Sequence, residues 1–176
     1  MTYEPETLTL TKAAPDDGAE IFALYRSLIG EAGMAAWHDD YPAPENVRDD
    51  TASGSLYVAK IDSVIASVCS LGDDADDGFD YSNFDKSVRR WAELSRVGTL
   101  RAYQRRGLSA TLIRFALGDA RMRGYDGVRL FVNELSPVAI AHYAKLGAHY
   151  CGRTSAYGHT FLCGEFTGDL GIKETV

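Results

Sequence analysis

The chain has 176 residues, 45% of them apolar and 24% charged, a balance that suits one globular domain over residues 1–176 and excludes a disordered chain. Its formal net charge of -7 repels phosphate backbones, so no nucleic-acid partner is expected and cationic small molecules are the more natural ligands. No apolar run nears the roughly 20 residues that span a bilayer and residues 1–10 carry no apolar signal segment, so a cytoplasmic protein without a membrane partner is expected.

Residues 7–13 alternate apolar and polar and read as a first strand. Pro15 to Gly18 form a turn and a helix start, and Ile21, Leu24, Tyr25 and Leu28 then keep helical spacing over 18–30. Residues 31–44 read as a loop anchored by Trp37 and Tyr41, and 45–52 as a short helix. Two strand-like runs, 55–61 and 64–71, are separated by Asp62 and Ser63, the spacing of a hairpin. Residues 72–80 form an acidic loop with Asp73, Asp74, Asp76, Asp77 and Asp80; 81–90 favour no element. A strand over 91–100 leads through the basic loop 101–107 into a helix over 108–123, with Leu108, Leu112 and Phe115 on one face and Gly124 as terminator. Residues 127–132 are a short, doubly buried strand. Ser136 and Pro137 open a last helix, with Ala139, Tyr143 and Leu146 on one face and Gly147 at its end. Strands over 148–157 and 159–166 follow. The expected fold is α/β: a mixed, mostly antiparallel sheet of six to seven strands, with a central parallel β-α-β pair over 91–132 and helices on both faces.

The stretch 93–112 carries the clearest chemical signal. A strand runs through Gln104, Arg105, Arg106 and Gly107 directly into a helix. A helix start presents unpaired N–H groups and the positive end of the macrodipole, and a glycine there admits a ligand close to the backbone. This is an anion site suited to a pyrophosphate, with Arg101, Arg105 and Arg106 adding charge. Neither GxxxxGK(S/T) nor GxGxxG is present, which leaves nucleoside-triphosphate and dinucleotide binding unsupported. The cysteines Cys69, Cys151 and Cys163 form no CxxC pair, and His38, His142, His149 and His159 show no metal spacing, so neither a disulfide framework nor a metal is expected.

Gln104-Arg105-Arg106-Gly107-Leu108-Ser109 resembles the Q/R-x-x-G-x-G/A acyl-CoA pyrophosphate loop of the GNAT superfamily of N-acyltransferases. Ser109 stands where Gly or Ala is usual, and Arg101 where Pro is frequent. The run Ala139 to Gly147 is similar to the family's A-x-x-x-Y-x-K-x-G helix end. Ser136 occupies a position often held by an Asn that contacts the pantetheine arm. Trp37, Tyr41-Pro42, Glu45, Asp50 and Leu56-Tyr57-Val58 resemble the opening of one bacterial branch, and Tyr150-Cys151-Gly152 a later segment of it.

The resemblance implies acetyl-CoA as co-substrate and transfer of its acetyl group to a primary amine by direct attack on the thioester. The acceptor it implies is a small molecule or a peptide. It implies backbone contacts to pyrophosphate from Gln104, Arg105, Arg106, Gly107, Leu108 and Ser109. It implies contacts to pantetheine and the thioester from Val97, Gly98, Thr99 and Ser136, where the family's strands splay apart, often at a bulge, with which Gly98 is compatible. Glu93 lies eleven residues before Gln104, the spacing of the general base in histone-acetylating members; it is a base or an ion-paired strand carboxylate. Tyr143 is the matching general acid or a core tyrosine. Asp76 and its acidic neighbours either attract a cationic amine or form a solvated loop. Trp37, Tyr41 and Trp91 either line an acceptor pocket or pack. Two alternatives remain at this level: a non-catalytic acyl-CoA-binding or sensing module, and a nucleotide-binding domain. Apolar final strands permit a homodimer of the kind many relatives form.

Overall fold

The computed structural model describes residues 6–73 and 75–168. The elements follow the expected order, with ends within two residues of those read from the sequence. They are β1 (Leu8–Lys12), α1 (Gly18–Leu28), α2 (Pro44–Ala52), β2 (Leu56–Ile61), β3 (Val64–Gly72), β4 (Trp91–Thr99), α3 (Leu108–Met122), β5 (Gly127–Asn133), α4 (Pro137–Lys145), β6 (His149–Ala156) and β7 (His159–Thr167). They form a seven-stranded sheet in the order β1-β2-β3-β4-β5-β7-β6, antiparallel throughout except for the parallel pair β4–β5. Among the described residues, no helix is long and apolar enough to cross a membrane.

Alternation along β2 assigns the two faces. Leu56 and Val58 pack with Ile21, Leu24, Tyr25 and Leu28 of α1, while Tyr57 and Ala59 pack with Leu112, Ile113, Ala116 and Leu117 of α3. The buried stripe of α3 runs through Leu108, Leu112, Ile113, Ala116, Leu117 and Ala120. Phe115, expected on that stripe, is 38% exposed and meets the Tyr57 ring edge-to-face at 6.2 Å. At 100° per residue, Phe115 falls beside the stripe rather than on it.

The acidic loop and residues 81–90, which favoured no element, form no helix or strand among the described residues but cover one face of the sheet with aromatic rings. Phe79 stacks on Phe131 at 4.0 Å, and Tyr81 and Phe84 meet Phe131 edge-on at 5.2 and 5.3 Å. The far end of this segment is held by a buried ion pair. Arg129 Nε donates to Glu165 (3.3 Å), Arg129 also donates to the Asp85 carbonyl (3.0 Å), and the Asp85 N–H donates to Glu165 (3.3 Å). The guanidinium lies over Trp91 at 4.5 Å and Phe84 at 4.9 Å. Trp91 thus packs under Arg129 and is not part of the cavity wall described below.

Candidate active site

The register of β4 and β5 creates the site. Their parallel pairing covers Trp91↔Gly127, Ala92↔Val128 and Glu93↔Arg129, and then stops. Beyond it β4 stays laddered to β3 as far as Thr99, and β5 to β7 as far as Asn133. The two strands therefore diverge, leaving one backbone edge of each without a ladder partner. A cavity of about 650 Å³ opens here, with Glu93, Val97, Asn133, Ser136 and Tyr143 in its wall.

Divergence is accompanied by a bulge, but not at Gly98. Ser70 pairs with Ser95 and Val68 with Gly98, so Arg96 and Val97 together oppose Cys69. Arg96 takes the left-handed conformation, φ 47°. Gly98 serves packing instead: a Cβ there would lie 2.8 Å from Leu28 Cδ1 and 3.3 Å from the Trp37 ring. Arg96 is held in its unusual geometry by a bidentate bond to Asp50, Nε to Oδ2 at 3.0 Å and Nη2 to Oδ1 at 2.9 Å. Both residues are largely buried and line the cavity. No local pattern marks this pair, whose members lie 46 positions apart; Asp50 stands out only by resemblance.

Glu93 is fixed by Tyr81, another residue that sequence reasoning missed. The Tyr81 hydroxyl donates to Glu93 Oε2 at 2.6 Å and accepts the Asp76 N–H at 2.9 Å. Burial pushes the Glu93 carboxyl up to about 7; the Tyr81 bond and Arg96 pull it down, and Asp76 pushes it further up. Tyr143 also lines the cavity, and burial raises its hydroxyl well above the ordinary phenol range, so it keeps its proton near neutral pH. Asn133 is a third residue that was not anticipated. Its Oδ1 accepts the Leu135 N–H at 2.9 Å, leaving Nδ2 buried without a hydrogen-bond partner among the described residues.

The remaining predicted residues divide between the cavity and the start of α3. The Ser136 hydroxyl donates to the Gly33 carbonyl at 3.0 Å, tying α4 to the loop that follows α1. Thr99 Oγ1 turns to Ser67 Oγ at 2.8 Å, on the β3 side. At α3, Arg105 (φ 62°) and Gly107 (φ 77°) are both left-handed. A Cβ on Gly107 would meet no protein atom within 4 Å, so the space over this turn is open. The first intrahelical bond runs from the Thr111 N–H to the Gly107 carbonyl (3.0 Å), which leaves the N–H groups of Leu108, Ser109 and Ala110 available. This turn has the donor set and the open approach that a pyrophosphate requires.

Side chains of the same loop mostly serve the protein. Gln104 Nε2 donates to Glu31 (3.1 Å), Arg101 pairs with Glu31 (3.4 Å), and Arg106 pairs with Glu6. Leu108 packs with Ile61 and Ala66, and Ser109 Oγ bonds His142 Nε2 at 3.1 Å. Burial, then Arg114 and Lys145, lower the His142 pKa and favour the neutral ring. Of the three arginines counted on for charge, Arg105 alone has no acidic partner among the described residues.

Within the acidic loop, Asp76 lines the cavity, Asp73 accepts a bond from the Tyr125 hydroxyl (3.1 Å), and Asp74 lies outside the described residues. Trp37 and Tyr41 are in the cavity wall. Cys69, Cys151 and Cys163 are free, and burial holds the Cys69 thiol far above its ordinary range. Among the described residues, no group of three or more His, Cys, Asp or Glu side chains is arranged to hold a metal ion.

Comparison with known proteins gives a consistent result. The sequence model of the acetyltransferase (GNAT) family matches residues 20–148. No curated protein matches the chain. Among solved structures, a GNAT-family acetyltransferase from Streptococcus agalactiae superposes with a TM-score of 0.76 at 21% identity, covering 92% of this chain and 95% of that one. The ribosomal-protein-alanine N-acetyltransferase of Brucella melitensis gives 0.70 at 19% identity, with 91% and 99% coverage. YncA of Salmonella typhimurium, a putative acetyltransferase solved with its cofactor acetyl-CoA, gives 0.69 at 18% identity, with 97% of each chain covered.

Proposed function

The chain belongs to the GNAT acetyltransferase family, and on that premise we propose that it transfers the acetyl group of acetyl-CoA to a primary amine by direct attack on the thioester. The observation that carries this reading is the placement of the Glu93 carboxylate, held by the Tyr81 hydroxyl in the cavity where β4 and β5 part.

Three demands of the reaction find residues. An ammonium must lose a proton before its nitrogen attacks the carbonyl carbon. Glu93, partly ionised at pH 7, accepts it directly or through a water. Negative charge gathers on the carbonyl oxygen as the C–N bond forms. The buried Asn133 Nδ2 and the unladdered backbone of β4 are the donors at hand. As the C–S bond breaks, the departing sulfur takes a proton, for which Tyr143 is the donor. The products are an amide and free CoA thiol. Direct transfer fits better than an acyl-enzyme because the Cys69 thiol is fully buried and strongly disfavoured as a thiolate.

The co-substrate's pyrophosphate would rest on the N–H groups from Gly107 to Ala110, with Arg105 alongside. Gly107→Val tests this. It places a β-branched residue at φ 77° and fills the open space over the turn. Calorimetric titration is expected to show acetyl-CoA binding by the parent, with ATP and NAD failing to bind, and affinity falling about 100-fold in the variant. Unchanged affinity would remove the pyrophosphate from this turn. Binding of acetyl-CoA without release of its thiol in the presence of any amine would make the protein a sensor rather than an enzyme.

A further inference from the structure

The wall of the cavity narrows the acceptor. Three carboxylates reach it: Asp50, Asp76 and Glu93. Asp50 is neutralised by its bidentate Arg96. Asp76 Oδ1 accepts the Gly78 N–H at 2.8 Å and the Tyr157 hydroxyl at 2.5 Å. Asp76 and Glu93 therefore both keep a charge that no cation pairs: Asp76 is engaged by the Gly78 turn and the Tyr157 hydroxyl, and Glu93 accepts the Tyr81 hydroxyl.

The same wall is aromatic on the β5 and β7 side. Phe131 is half-buried between Phe79, stacked at 4.0 Å, and Tyr81, edge-on at 5.2 Å, and Phe161 meets Phe79 at 5.0 Å. Tyr81 is also the residue that donates to Glu93, so the aromatic wall lies one ring away from the carboxylate. Over the cavity, Asp76 and Phe79 reach across to Tyr157 in the β6–β7 turn, with the two rings 5.7 Å apart. A space of about 650 Å³ with this lining suits a small molecule.

We infer that the acceptor is a small amine whose amino group is carried on a flat, apolar body, an arylalkylamine in chemical class. Its body lies against Phe131 and Phe79, and its nitrogen lies at Glu93. This rests on the acetyl-transfer reading above and goes beyond it in naming an aromatic amine, held against the Phe79 and Phe131 rings, as the preferred acceptor.

The test is a set of steady-state rates of CoA-thiol release with 2-phenylethylamine, methylamine, spermidine and a lysine-containing peptide, with acetyl-CoA affinity measured in parallel. The expected order places 2-phenylethylamine above each of the others by about tenfold or more in kcat/KM. In Phe131→Ala, the ratio of 2-phenylethylamine to methylamine should fall by about tenfold. Phe131→Leu, which keeps the volume apolar, serves if the alanine variant does not fold. Preference for spermidine or the peptide, or a ratio insensitive to both Phe131 variants, would overturn the inference while leaving acetyl transfer standing. Tight acetyl-CoA binding with no amine acetylated would overturn both.

Discussion

Glu93→Gln is expected to lower kcat/KM for acetyl transfer by about 10²–10⁴-fold while acetyl-CoA still binds. The variant keeps the shape of the side chain and its bond with Tyr81 but removes the proton acceptor. In the parent, kcat/KM should rise with pH through a limb centred at about 7, where Glu93 ionises. Tyr81→Phe removes a donor that favours the carboxylate, so the limb should move upward by about one pH unit. A purely structural role for Tyr81 would leave the limb in place. Stability moves in the opposite sense to activity. The folded-state pKa of about 7 exceeds the ordinary 4.5, so the native state holds the proton more tightly between those values. Folding stability therefore falls as pH rises through that window, by up to roughly 3 kcal/mol. Glu93→Gln should unfold at a higher temperature than the parent above pH 7 and lose that advantage below about pH 4.5.

Glu165→Ala should destabilise the fold by about 3–5 kcal/mol, lowering Tm by roughly 10 °C. Glu165 has no solvent exposure, and Arg129 is 6% exposed. Removing the carboxylate leaves the guanidinium buried between Trp91 and Phe84 with only the Asp85 carbonyl for company. It also frees the Asp85 N–H from its acceptor. Because this pair fastens the far end of the segment that carries Phe79 and Tyr81, activity should fall along with stability. The double variant Arg129→Met/Glu165→Leu, which removes both charges, should recover most of the loss in thermal unfolding. A single variant as stable as the parent would mean that the ion pair contributes nothing to holding the segment.

Local patterns made much of this fold legible. The stripe Ile21, Leu24, Tyr25 and Leu28 marked α1 because each turn of the helix repeats the same burial, and all four are buried. The Gly107 turn was visible because its chemistry lies in consecutive backbone groups. Residues 81–90 defied assignment because nothing periodic organises them; their order comes from rings docking on Phe131 and from a carboxylate 80 positions away. Gly98 was compatible with a bulge because glycine is the residue that most readily leaves a regular strand, but the bulge lies just before it. It falls at Arg96 because a bidentate bond to Asp50 offsets the strain of a left-handed arginine. Tyr81, Arg96 and Asn133 escaped notice for one reason: each acquires its place in the site through tertiary contacts.

The central claim is that this cavity joins an acetyl group to an amine. The most direct test incubates the protein with acetyl-CoA and an amine panel headed by 2-phenylethylamine, measuring free CoA thiol and N-acetylated product in the same samples. Thiol and amide should appear in equal amounts, and both should vanish when the amine is omitted. Thiol released without amide, or neither product with any amine despite bound acetyl-CoA, would contradict it.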